Sequence, residues 1–238
     1  MLMDPLPGWA PPVEPQRLLV AGATGRLGEA LLNEAIARRT ALGFQEVVAL
    51  GESRAALSLG MSGLSIAPME SLPSIAAAIV SLSDPQDDDA RSFHGRDAPF
   101  MLVDALRVHS VAVAAIAAGA QRLVLIHPLP AWQQLSGLHQ GLVGEVELQI
   151  ARLPCPSMLM IRPVASSRSA GGNWLARFAR GYLSLQMLMM PRSLAALTST
   201  QLARAIVGQL QAPARAGVSA LGAPELQDWL EHQVQARR

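Results

Sequence analysis

"RLLVAGATGRLGEALLNEAIARR" (residues 17–39) is the clearest segment of the chain. "RLLVAG" is a short apolar run, as expected of a strand buried on both faces. A glycine-rich turn follows. Then Leu27, Ala30, Leu31, Glu34, Ala35 and Arg38 recur at helical spacing and draw an apolar stripe. "EVVALG" (46–51) is a second buried strand, so 17–51 reads as one strand–helix–strand unit.

The same alternation continues. "LSIAPM" (64–69) and "AAAIVSLS" (76–83) read as the third and fourth strands. "MLVDALRVHSVAVAAIAAGA" (101–120) reads as a helix and "RLVLIHP" (122–128) as the fifth strand. "GLVGEVELQIARL" (141–153) is the next helix, and "SMLMIRP" (157–163) the sixth strand. Strands alternating with helices predict an α/β fold, a doubly wound, mostly parallel Rossmann sheet. From about 166 the rhythm turns helical, in "TSTQLARAIVGQLQ" (198–211) and "APELQDWLEHQVQ" (223–235). The expected organisation is an extended, proline-rich leader (1–16), a Rossmann domain (17–165) and a small, mostly helical C-terminal lobe (166–238). Two loops, 83–99 and 165–173, follow strand ends and are candidate rims or lids of a ligand site.

The turn "GATGRLG" places Gly22, Gly25 and Gly28 three residues apart. Gly22 permits the tight turn off the strand, Gly25 lets the backbone approach a pyrophosphate, and Gly28 lets the helix pack closely on the sheet. The helix N-terminus, at Arg26 and Leu27, offers backbone N–H groups and a partial positive charge to phosphates. Thr24 and Arg26 add side-chain donors. The end of the second strand, "LGESR", should choose between cofactors. Glu52 suits a ribose hydroxyl pair, whereas Ser53 and Arg54 suit a ribose phosphate. The balance leans slightly to NADP over NAD, and loss of the cofactor stays open.

Composition narrows the function classes. Hydrophobic residues make up 50% and charged residues 16%, which favours a packed core over disorder. The formal net charge is +1 and no basic stripe is mixed with aromatics, so nucleic-acid binding has no support. The run "VAVAAIAAGA" (111–120) is too short to span a bilayer and no secretory signal is visible, so no membrane partner is expected. A single cysteine, Cys155, fits a reducing cytoplasm, and its place in "PCPS" reads as structural. All 19 basic residues are arginine, so any mechanism that needs a lysine is excluded.

Taken in order and spacing, "GATGRLG", "AAIAAGAQRLVLI", "GEVELQIARL", "MLMIRP" and "TSTQLARAIV" resemble the short-chain dehydrogenase/reductase superfamily. The chain is most similar to its atypical, NAD(P)H-binding branch, which includes HIV-Tat-interacting oxidoreductase-like and nucleoside-diphosphate-sugar epimerase-like proteins. The resemblance spans roughly 17–235. It implies a dinucleotide site that takes in Ser81 of the fourth strand and Pro163 after the sixth, with Arg162-Pro163 beside the nicotinamide. It also implies a serine near the end of the fifth strand and a Tyr-x-x-x-Lys on the following helix, the lysine lowering the tyrosine pKa. With "GEVE" setting the register, the tyrosine position falls on His139 and the lysine position on Val143. The serine region is replaced by His127-Pro128, and the one tyrosine, Tyr182, lies far downstream.

Two readings of the histidines follow. In one, His127 and His139 face the nicotinamide and share acid–base catalysis, since imidazole titrates near neutral pH. In the other, His139 precedes or caps a helix and His127 fills a polar pocket, because a histidine pair without an orienting carboxylate is weak evidence. Glu145 and Glu147 read as a solvated helix face, and Arg162 as either a ligand-side or an ion-paired residue. His94, His109 and His232 show no metal-ligand spacing. The favoured function is an NAD(P)-binding protein with a redox-sensing, regulatory or binding role toward an unknown small molecule or protein. The alternative is an NADP-dependent oxidoreductase or sugar-nucleotide epimerase-like enzyme that uses His127 and His139. A homodimer is open, with "SVAVAAIAAG" as a candidate face.

Overall fold

The computed structural model describes residues 16–51, 62–83, 100–129, 141–164 and 197–235. In chain order these form β1 (Arg17–Ala21), α1 (Gly25–Arg38), β2 (Glu46–Leu50), β3 (Leu64–Ala67), a short 3-10 turn (Met69–Ser71) and β4 (Ala77–Ser81). They continue with α2 (Val108–Ala117), β5 (Arg122–Ile126), α3 (Gly144–Ala151), β6 (Ser157–Ile161), α4 (Ser199–Gln209), β7 (Gly217–Leu221) and α5 (Ala223–Gln235). The strands make one sheet in the order β3-β2-β1-β4-β5-β6-β7. Every neighbouring pair is parallel.

The alternation of side chains along β1 explains the double winding. Leu18 and Val20 point to one face, where Leu31 and Ala35 of α1, Ile206 of α4 and Leu226 of α5 pack. Leu19 and Ala21 point to the other, against Val111 and Ala115 of α2 and Ile150 of α3. Both layers are apolar and fully enclosed, so β4 and β6 are buried along their whole length.

Several boundaries differ from the sequence reading. The helix expected over 101–120 begins only at Val108. Asp104 explains this: its Oδ1 accepts from the backbone N–H of Leu106 (3.0 Å) and Arg107 (2.9 Å), so the preceding residues form a side-chain-held turn. Pro68 ends β3 at Ala67, two residues short of expectation. The largest difference is β7. The described residues after 166 are mostly helical, as expected, but "GVSAL" adds a seventh parallel strand beside β6. Its exposed first residues and small side chains lack the apolar run that marks the other strands.

Candidate functional site

The strand register lines up the carboxyl ends of β1, β4, β5 and β6. Ala21 pairs with Val80, Ser81 with Ile126, and Ile126 with Ile161. Gly22, Ser81, His127 and Arg162 therefore stand along one edge. Gly22 and His127 are two strand spacings apart, roughly 10 Å. This is the edge at which open α/β sheets bind ligands.

At its β1 end, the glycine turn is held by close backbone approach. Gly22 has φ +75° and Gly25 φ +69°, conformations that favour glycine. A Cβ on Gly22 would fall on the backbone carbonyl of Ser81, and one on Gly28 on the backbone of Ala23. Gly22 thus seats β1 against β4, and Gly28 seats α1 on the turn. Thr24 is the N-cap of α1, but its side chain makes no capping bond. Its hydroxyl is buried and, among the described residues, has no hydrogen-bond partner. The first turn of α1 holds no acidic residue that would oppose an anion. An orphaned hydroxyl at a helix N-terminus whose first turn carries no acid fits a phosphate group. Arg26 is exposed and Leu27 half-buried on the same turn, while Ser81 is buried at the end of β4.

At the β5–β6 end lies a cluster that the sequence reading treated as separate residues. Arg162 follows β6 directly and Glu147 lies in the first turn of α3; both side chains are completely buried. The Glu147 carboxylate accepts four hydrogen bonds. Its Oε1 takes Nε of Arg162 (2.9 Å) and faces Nδ1 of His127 (3.1 Å). Its Oε2 takes the backbone N–H of Val143 (2.8 Å) and Nη2 of Arg162. Nη2 of Arg162 also donates to the carbonyl of Gly141 (2.6 Å). Burial pushes the Glu147 pKa up, but the bonds from His127, Arg162 and Val143 and the Arg162 charge outweigh it and bring it to about 2. Glu147 is therefore ionised at neutral pH.

Glu147 is thus buried, which corrects the expectation of a solvated helix face. Only Glu147 and Ile150, three residues apart, are buried on α3, and that stripe turns inward. His127 does have an orienting carboxylate, contrary to the sequence expectation. Of the two readings of Arg162, the ion-paired one holds. A usable signal was present: an arginine directly after the apolar run "MLMI" needs a buried partner, and the preceding helix carried one.

Pro163 is buried, and its carbonyl accepts from Leu129 N–H (2.9 Å), extending the β5–β6 ladder past the cluster. With Val164, Leu197 and Leu202 it lines a small apolar recess. Glu52, Ser53, Arg54 and His139 lie outside the described residues, as do Tyr182 and most of the two candidate lid loops. A broader groove beside β3, lined by Arg17, Glu46 and Ser65, lies away from this edge, and its Arg17–Glu46 pair (2.7 Å) is self-satisfied. Among the described residues no cluster of three or more metal-type ligands occurs, and no helix is long and apolar enough to cross a membrane.

No protein-family model matches the chain, and no curated protein matches it. Solved structures do resemble it. A short-chain dehydrogenase/reductase family oxidoreductase from Burkholderia thailandensis is 15% identical, covers 94% of this chain and 98% of its own, and has a TM-score of 0.47. A candidate epimerase from Bacteroides thetaiotaomicron is 17% identical over 87% of this chain and 96% of its own, with a TM-score of 0.45. The Bordetella bronchiseptica enzyme WbmG in complex with NAD is 15% identical over 90% of this chain and 86% of its own, with a TM-score of 0.40. At these identities the likeness is one of fold.

Proposed function

We propose that this protein binds a nicotinamide dinucleotide, NADP in preference to NAD, across the carboxyl ends of β1 and β4. Its role is redox-sensing, regulatory or binding, without a Ser/Tyr-x-x-x-Lys proton relay. The buried, unpartnered Thr24 hydroxyl at the start of α1 carries the reading. A desolvated hydroxyl without a partner costs about 1–3 kcal/mol, and a phosphate oxygen in this turn would satisfy it. Gly22 and Gly28 keep the turn tight enough for backbone contact. The absence of lysine supports the loss of the classical relay. When bound, the nicotinamide supplies hydride chemistry. The chain's own contributions are the phosphate cradle, the small residues that let the backbone approach, and the Pro163 wall.

Calorimetric titration with NADPH and NADH tests the reading. At least one should bind, and Thr24→Val should lower that affinity about tenfold, the worth of one hydrogen bond. The same variant should keep or gain stability when no nucleotide is added, since it removes an unsatisfied group. If neither nucleotide gives heat in the millimolar range, the proposal fails. A second reading, an NADP-dependent oxidoreductase or sugar-nucleotide epimerase-like enzyme that uses His127 and His139, is favoured by one observation: Glu147 bonds Nδ1 of His127. On either reading the proposed location is the cytoplasm.

A further inference from the structure

His127 sits where β5 leaves the sheet, with its backbone N–H bonded to the carbonyl of Ile161 (2.9 Å). The backbone is therefore fixed on the strand edge. The ring is fixed by Glu147, which as an ionised acceptor requires a proton on Nδ1. When the ring is neutral this leaves an unprotonated Nε2. Among the described residues Nε2 has no hydrogen-bond partner, and 19% of the side chain is exposed. Arg162 balances the Glu147 charge from a second side, and both side chains are closed to solvent. Each piece fits an imidazole held in one tautomer at a ligand-binding edge.

We propose that His127 is the proton-transferring residue of this edge, with Glu147 as its positioning residue and Arg162 as the clamp on Glu147, serving a small molecule through a neutral hydroxyl. Among the described residues the charges of Glu147 and Arg162 cancel, which suits a neutral donor over an anion. Nε2 first accepts a hydrogen bond from the hydroxyl. In the transfer the O–H bond breaks as the Nε2–H bond forms, and the electron pair stays on oxygen. The reverse step returns the proton. The proposal rests on the second reading, that of an enzyme, but the tautomer and reactivity of His127 do not depend on dinucleotide binding.

The test uses the full-length protein. Long-range proton–nitrogen NMR of 15N-histidine-labelled protein at neutral pH, assigned with His127→Gln, should show neutral His127 protonated on Nδ1. Diethylpyrocarbonate then probes Nε2, with modified sites mapped by mass spectrometry. His232 is the comparator: it is exposed, and its Nδ1 bonds a neutral carbonyl, that of Asp228 (2.6 Å). His127 should react at least as fast as His232 despite its lower exposure. An Nε2–H tautomer, or slower modification than His232, overturns the proposal. Glu147→Gln should abolish the Nδ1–H preference, and its retention in a folded variant removes the positioning role. If that variant does not fold, the wild-type tautomer and rate decide. A missing NADPH signal in calorimetry would sink the dinucleotide reading alone.

Discussion

The buried Arg162–Glu147 pair makes a sharp stability prediction. Glu147→Gln keeps the shape of the side chain but removes the charge that balances a completely buried guanidinium. Breaking such a pair from one side costs about 3–5 kcal/mol, because the remaining ion keeps its desolvation penalty. The pH dependence gives a second, independent number. The Glu147 pKa falls from 4.5 to about 2 on folding, which corresponds to about 3 kcal/mol. A depressed carboxylate pKa stabilises the fold above pH 4.5, and that contribution is lost as pH falls from 4.5 towards about 2. The gap between wild type and Glu147→Gln should therefore be widest at pH 7 and shrink by about 3 kcal/mol over that acid window. Urea denaturation at pH 7 and at intervals down the acid window measures it, provided the slope of each transition is unchanged. Replacing both partners, as Glu147→Gln with Arg162→Met, should recover much of the loss, since no charge is then left buried. A Glu147→Gln protein within about 1 kcal/mol of wild type at pH 7 would refute the claim that the pair is closed to water.

Two further predictions concern packing. Arg122 at the start of β5 donates to the carbonyls of Gln209 (2.8 Å), Leu210 (3.2 Å) and Ala212 (2.8 Å) at the end of α4. Burial lowers its pKa, yet it remains a cation placed at a helix C-terminus. Arg122→Ala should cost about 2 kcal/mol in chemical denaturation, and an unchanged midpoint would show that those carbonyls find water instead. Gly22→Ala should cost at least about 2 kcal/mol, because a Cβ at φ +75° would meet the Ser81 backbone, which cannot swing aside. Thermal melts of Gly22→Ala beside Gly43→Ala separate the two causes, since Gly43 shares the positive φ but has open space around it.

The alternation of apolar runs and amphipathic stretches was legible because it repeats locally: each of β1 to β6 declares itself within about six residues. The glycine turn was legible for the same reason, its three glycines reporting contacts made within one strand–turn–helix step. β7 was not, because "GVSAL" takes its strand character from pairing with β6 rather than from its own side chains. Glu147 shows the limit most clearly. On paper it is one of two acidic residues in the first turn of a short helix, and its partners stand 15 and 20 residues away. Burial of a carboxylate depends on whether a cation and hydrogen-bond donors surround it in space, which spacing along the chain does not reveal. The amino-acid order alone carried the doubly wound sheet, its glycine turn and the lack of lysine. The meeting of His127, Glu147 and Arg162 came from the folded arrangement, because the parallel register brings the ends of β5 and β6 side by side beneath the N-terminus of α3.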